Sequence, residues 1–386
     1  MSHKRKFFII KVLENSEHAW FSSTYVLYLL ASGLTLSQTA IVNTAFMCIN
    51  FIIDPFTGWV GDKFGHIRVY LAGVFVMAIG MTLYGFPQGF LWFIMCESIA
   101  AIGSALMSQA LESWLVNSFG NEEASRVKAW SKGRLALLTI LPRTLGSLIG
   151  SAFGLNVPFL LAGLTCFVSF AVGLYLFSNE KEVLPLIQES VDKKQPLRRT
   201  LRVEIASVWQ VAMLWFLIAV SFQALNMYWT AHFEAKSGAI WWLGIYSTLI
   251  GLTTGWGPSL AMRYFHPDLR HIGLTTAAMA VFVLICAITD SFFVLFVIFL
   301  AHEVCRGVIS QLVDTYLNER FSNAYRSTLN SILSSVYKAG AAIGLFMLST
   351  LTFIQPEHIP YLWVASSIVM FIAAGICIIP TRSQQN

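Results

Sequence analysis

The side chains able to do chemistry in this 386-residue chain are a few ionisable groups set among apolar residues. Asp54, Glu97, Glu112, Arg143, His302, Glu303, Arg306, Asp314 and Lys338 all fall inside, or at the ends of, long hydrophobic runs. Charges in such surroundings are costly, so they mark solute or ion pathways or pair with one another. Arg143, Glu303 and Lys338 lie near the middle of their runs, and Glu97 sits about two helical turns from the outer end of its own. A carboxyl there can carry a proton, and an Arg or Lys nearby would compete with that proton. Glu303 with Arg143 could in this way couple proton binding to solute binding. Equally, Glu303 and Arg306 are three residues apart on one helix face and could satisfy each other. For Glu97, His302 and Lys338 static pairing is the plainer reading. Glu112 and Asp314 come at the ends of their runs, where loop bases such as Arg126 and Arg326 would serve them. Phe222, Gln223 and Asn226 are deep enough to line a pocket for a large amphipathic ligand.

The surrounding composition says what must position these groups. Hydrophobic residues make up 56% of the chain and charged residues 12%, roughly half the charged share of a soluble domain. A helix needs about 20 apolar residues to cross the hydrocarbon core. Runs of that kind recur at 16–35, 38–60, 69–86, 90–116, 129–154 and 157–178, then at 206–230, 240–262, 272–289, 292–316, 327–352 and 360–380. The weakest is the first, where Glu14, Glu17 and His18 crowd the entrance. Lys4-Arg5-Lys6 ahead of it imitates a signal peptide, but no small-residue cleavage site follows, so the run reads as a retained anchor.

Charge placement orients these spans. With the N-terminus in the cytoplasm, 21 of the 25 Lys and Arg residues fall on that side, as the positive-inside rule requires. Both termini are then cytoplasmic. Residues 179–205, rich in both charge signs and holding Pro185 and Pro196, read as a solvated linker. They separate an N-terminal six-helix half, 1–178, from a C-terminal half, 206–386.

The halves repeat. Ser108-Gln109-Ala110-Leu111-Glu112-Ser113-Trp114-Leu115 aligns without a gap on Ser310-Gln311-Leu312-Val313-Asp314-Thr315-Tyr316-Leu317. Parallel repeats with a substrate site near the midplane are a transporter design. Other classes lack their signatures. The six cysteines lie singly inside apolar runs, as neither a disulfide framework nor a zinc site. There is no tight His/Asp/Glu or Cys cluster for an enzyme, and no G-x-x-x-x-G-K-[ST] phosphate loop for an ATP-driven pump. The net charge of +5 belongs to topology and calls for no nucleic acid. No cofactor is expected; the energy source would be a proton gradient.

Between the second and third spans stands Gly58-Trp59-Val60-Gly61-Asp62-Lys63-Phe64-Gly65-His66-Ile67-Arg68. Its glycines suit a tight turn. Asp62 could favour a helix N-terminus or a basic partner in the other half, and Lys63 and Arg68 hold the loop inside. The run resembles the signature loop of the major facilitator superfamily, G-x-x-x-D-[RK]-x-G-[RH]-x-[RK]. The resemblance implies an all-α membrane fold of about twelve helices in two pseudo-symmetric halves, working by alternating access. It makes Gly58, Gly61, Asp62, Lys63, Gly65 and Arg68 a conformational latch, with Asp54 close enough to join it. The equivalent stretch in the second half, Gly255-Trp256-Gly257-Pro258 to Arg263, has lost the acid.

Bacterial drug-efflux members are the most similar branch, through the segment around Glu112. Yet Glu97 replaces the fourth-span Arg of those proteins, and span five, with Pro142, Arg143, Gly146, Gly150 and Gly154, lacks their Gly-Pro ending. Two functions therefore compete: proton-coupled efflux of drugs or amphipathic metabolites, and proton-coupled uptake of a small polar or anionic solute anchored by Arg143 and Lys338. Both place a monomer in a bacterial inner membrane, with lipid and a small molecule as its partners.

Overall fold

The computed structural model describes residues 2–178, 206–321, 326–351 and 355–378; the surroundings of a few further residues, Asp54, Gly58 and Arg326 among them, lie outside the description. The expected linker, 179–205, lies outside it as well. Every described element is helical.

Fourteen α-helices carry the described residues: α1 (His3–Phe21), α2 (Tyr25–Ala31), α3 (Leu36–Phe64), α4 (His66–Tyr84), α5 (Phe90–Phe119), α6 (Asn121–Leu138), α7 (Ile140–Phe153), α8 (Val157–Phe177), α9 (Trp209–Ser237), α10 (Leu243–Tyr264), α11 (Leu269–Ile288), α12 (Phe292–Arg320), α13 (Arg326–Thr350) and α14 (Ile359–Ile378). Among the described residues nine helices are long and apolar enough to cross a membrane. The other three expected spans are interrupted. Span one divides into α1 and α2 at Ser22–Thr24, where Ser22 and Thr24 hydroxyls donate to the carbonyls of Ala19 and Phe21, competing with the helical ladder. Span five divides into α6 and α7 at Thr139. There Pro142 has no N–H to offer the carbonyl four residues back. Span eight, α10, carries Pro258 inside it.

The chain forms two compact units: Met1–Glu189 with Ala239–Thr248, and Ser190–Gly238 with Leu249–Asn386. Residues 239–248, placed by the sequence with the second half, thus group with the first. Their reason is local. Ser147 on α7 donates to the Trp241 carbonyl at 2.9 Å and accepts from the Gly244 N–H at 2.9 Å.

In the first unit α4 packs against α5 and α8, and α1 against α7 and α8. Small residues allow the approach. A Cβ at Gly103 would lie 2.7 Å from the Met77 nitrogen and 2.8 Å from the Gly73 carbonyl. Phe21, Tyr28, Tyr84, Phe93 and Phe159 fill the core between these helices, with Phe159 stacked on Tyr84 at 4.9 Å. The second unit repeats the scheme: α11 against α12 and α14, and α9 against α13 and α14. Gly340 and Gly344 bring α13 onto the backbone of α9. The repeat also keeps register. Phe90 and Val157 open α5 and α8, and Phe292 and Ile359, each 202 residues further on, open α12 and α14.

The turns after α3 and α10 correspond but are built differently. Gly65, at φ 95°, lets α3 end and α4 start without an intervening residue, a conformation that favours glycine. In the second half an acid returns further along: Asp268 caps α11 by accepting the His271 N–H at 2.8 Å and faces its ring at 2.9 Å. Slight burial pushes the Asp268 carboxyl up. Against this, the His271 N–H and ring and the Arg270 N–H hold it below the usual carboxylate range.

Gly103→Val must force α4 and α5 apart, at a cost of about 1–3 kcal/mol, and is expected to lower the unfolding temperature in detergent. Asp268→Ala removes a cap worth about 1 kcal/mol. With the folded pKa depressed, its stabilisation is full above the unfolded pKa and is lost as pH falls through the folded one. The wild type and Asp268→Ala should therefore differ in unfolding temperature at neutral pH and converge in strong acid. A gap that persists in acid means packing rather than charge.

Candidate functional site

In the second unit the site begins with a crossing of α10 and α12. Pro258 deprives the Thr254 carbonyl of its helical donor, and the Gly307 backbone packs directly onto that carbonyl. A Cβ at Gly257 would stand 2.6 Å from the Gly307 backbone. Only at this separation can the Thr254 hydroxyl donate to Glu303 Oε2, at 2.9 Å. The other carboxylate oxygen faces Arg306 Nη1 at 3.6 Å. Arg306 in turn donates to Asn226 Oδ1 at 3.2 Å and lies over the Phe222 ring, 4.7 Å from its centre. His302, buried between Phe222 and Phe299, stands 3.6 Å from Glu303.

Arg306 opens onto a cavity of about 610 Å³. Trp215, Phe222 and Tyr337 give it aromatic walls; Asp314, Ser310 and Asn318 give it polar points along the last turns of α12. The spacing of Arg306, Ser310 and Asp314 puts them on one helix face. The arrangement can hold a ligand of mostly apolar body and few polar groups, with one cation and one carboxylate available.

Four of the residues singled out by sequence, Phe222, Asn226, Glu303 and Arg306, are therefore brought together here. Gln223 is not: its Nε2 donates to the Ala219 carbonyl and its Cγ packs where Gly344 approaches. Lys338 is exposed on α13. Thr254 was not foreseen; the proline four residues after it and the Gly257–Gly307 crossing are what give it a role.

Arg143 and Glu97 belong to the first unit, each with its own partners. Arg143 Nη1 donates to the Ser247 carbonyl at 3.2 Å, while its Nε is buried with no hydrogen-bond partner. Glu97 is buried beside the hydroxyls of Tyr25 and Tyr84. Neither tyrosine was singled out by sequence. Glu17, which had marked only an awkward start to span one, is also buried, while its neighbour Glu14 accepts from Lys11 at 2.7 Å and Tyr70 at 3.3 Å. Glu112 pairs with Lys128 at 3.0 Å, and Arg126 with Glu123 at 3.5 Å.

The signature loop is compact. Gly61 accepts the Gly65 N–H at 2.9 Å and leaves room for the His66 ring, which a Cβ would meet at 2.5 Å. The buried His66 faces Asp62 at 3.4 Å, and Lys63 lies over the Phe64 ring. Arg68 is exposed on the first turn of α4. The side chain of Asp54 and the surroundings of Gly58 lie outside the description.

Comparison with known proteins agrees with this fold. The family description "Major Facilitator Superfamily" matches residues 17–267. An uncharacterized MFS-type transporter of Bacillus subtilis, YxaM, is 24% identical over 86% of this chain and 85% of its own length. The multidrug export protein EmrB of Haemophilus influenzae is 26% identical over 42% of this chain, and the match spans 31% of EmrB. Among solved structures, a bacterial homologue of the human lysosomal transporter Spinster superposes with a TM-score of 0.74 at 14% identity, covering 97% of this chain and 95% of that one. The nucleoside transporter NupG, solved as a point mutant, gives 0.73 at 11% identity, covering 98% and 99%. These likenesses carry the fold, and the family match carries the kinship. This chain is a secondary transporter that belongs to the major facilitator superfamily.

Proposed function

We propose that this transporter couples proton entry to the export of drugs or amphipathic metabolites by alternating access. The observation that carries the reading is the cavity of the second unit, where Trp215, Phe222 and Tyr337 outweigh a few separated polar groups. Such walls suit varied amphipathic bodies better than one small polar solute. The partial likeness to a multidrug export protein points the same way. Glu303 is the proton-exchanging group beside this cavity, with Arg306 and Thr254 setting the competition for it. Arg143 has a supporting part in coupling, and Lys338 is a substrate anchor. The chain works as a monomer in a bacterial inner membrane with both termini cytoplasmic, driven by the proton gradient without a cofactor. The second reading, uptake of an anionic solute, is favoured by Arg306, whose guanidinium reaches the cavity.

The two readings separate in proteoliposomes under an imposed pH gradient. Export moves a fluorescent amphipathic dye against the proton flow, whereas uptake moves the solute with it. Glu303→Gln is expected to abolish gradient-driven flux, as is Arg306→Ala; full flux in both variants rules out the coupling role given to Glu303. In the signature loop, Asp62 faces His66 rather than solvent alone and acts as the latch acid. Asp62→Asn should slow turnover while leaving substrate affinity close to wild type, and an unchanged turnover number removes the latch.

A further inference from the structure

Glu97 is held unlike any other carboxyl in the chain's described spans. It lies on α5, the eighth residue of that helix, and only 6% of its surface is exposed. Tyr25 on α2 and Tyr84 on α4 bring their hydroxyls to its carboxyl. The Tyr84 hydroxyl also donates to Tyr25 at 3.4 Å, so the three groups form a connected cluster. Asn43 of α3 bonds Tyr25 from the far side, and Cys96 is the neighbour on α5 itself. Among the described residues no Lys, Arg or His forms an ion pair with Glu97, from α1, α3, α4 or α6, the elements that pack against α5. Its Oε2 is buried with no hydrogen-bond partner.

The supporting shell is rigid. Tyr84 is stacked on Phe159 at 4.9 Å and packed on Phe93 at 5.2 Å. Its backbone carbonyl accepts the Tyr28 hydroxyl at 2.8 Å. The phenols therefore cannot swing away to let another cation in. A buried ionised carboxyl needs its charge met by a partner or by a proton. Here hydroxyls supply hydrogen bonds but no charge. Of the cations that could meet it, a proton needs no additional room, and Oε2 is an open place for it.

We infer that Glu97 is a proton-binding site of the first unit, separate from Glu303, with Tyr25 and Tyr84 as positioning residues. This deepens the reading of proton-coupled transport and rests on it for its biological sense. The binding of the proton itself is independent of any substrate. A merely structural triad would keep Glu97 in one protonation state at every pH.

Infrared difference spectroscopy of the full chain in lipid nanodiscs, stepped from acid to alkaline pH, decides between them. The wild type is expected to show a carboxyl band that appears and disappears with pH, and tyrosine bands that shift with it. Glu97→Gln should remove that carboxyl band and the coupled tyrosine changes, while Glu303→Gln leaves them. Tyr84→Phe keeps the ring packing and should displace the midpoint of the carboxyl titration. If Glu97→Gln does not reconstitute, the Tyr84→Phe midpoint carries the test. A wild-type spectrum unaltered by Glu97→Gln, or a midpoint unmoved by Tyr84→Phe, overturns the site. Should Glu97 titrate while wild-type dye flux ignores a pH gradient, the site stands and proton-coupled export fails.

Discussion

Hydrocarbon has no donor or acceptor to offer a peptide group, so each turn of this chain inside the membrane must satisfy its own backbone. That constraint accounts for the all-helical content and for the behaviour of the small polar side chains. Thr44, Thr82, Ser98, Thr248 and Thr276 all turn back onto the carbonyl four residues earlier instead of presenting free hydroxyls. It also explains what happens where the ladder fails. At Ser22–Thr24 hydroxyls take over as donors, and at Pro258 the backbone of a neighbouring helix closes on the freed carbonyl. Interruptions in these helices therefore occur where something else covers the exposed group.

The same constraint makes charge placement expensive and hence selective. In the second unit Glu303 has a base, a hydroxyl and a histidine around it, and its arginine leans on an aromatic ring beside a cavity. In the first unit Glu97 has phenols alone. One carboxyl is embedded in a network that a ligand can reach and disturb. The other is sealed in an aromatic core. Different neighbours give two acids of one chain different work, as environment does for carboxyls generally.

Much of this could be read from residues before any coordinates. Long apolar runs located the spans, and the Glu303–Arg306 spacing announced a pair on one face that the structure holds at 3.6 Å. Phe222 and Asn226 were placed near a pocket, and both touch Arg306. The failures have physical sources. Gln223 is polar and deep, but its neighbour relation to Gly344 depends on how closely two helices approach, which periodicity does not encode. Tyr25 and Tyr84 look like ordinary aromatics until three helices converge. Residues 239–248 were assigned by chain order, whereas Ser147 holds Trp241 and Gly244 by hydrogen bonds.

The constant 202-residue register of the two halves bears on how their differences arose. Carrying Glu97 forward by that interval lands on Phe299, and carrying Glu303 back lands on Ala101. The acids are thus not descendants of one ancestral acid at a single position. Each occupies a place where its twin helix kept an apolar residue, while helix starts stayed aligned. Duplication supplied two copies of a scaffold whose geometry tolerated point changes of opposite kinds. The symmetry of this molecule is a property of its frame, and the inequality of its acids is an innovation laid on that frame one side chain at a time.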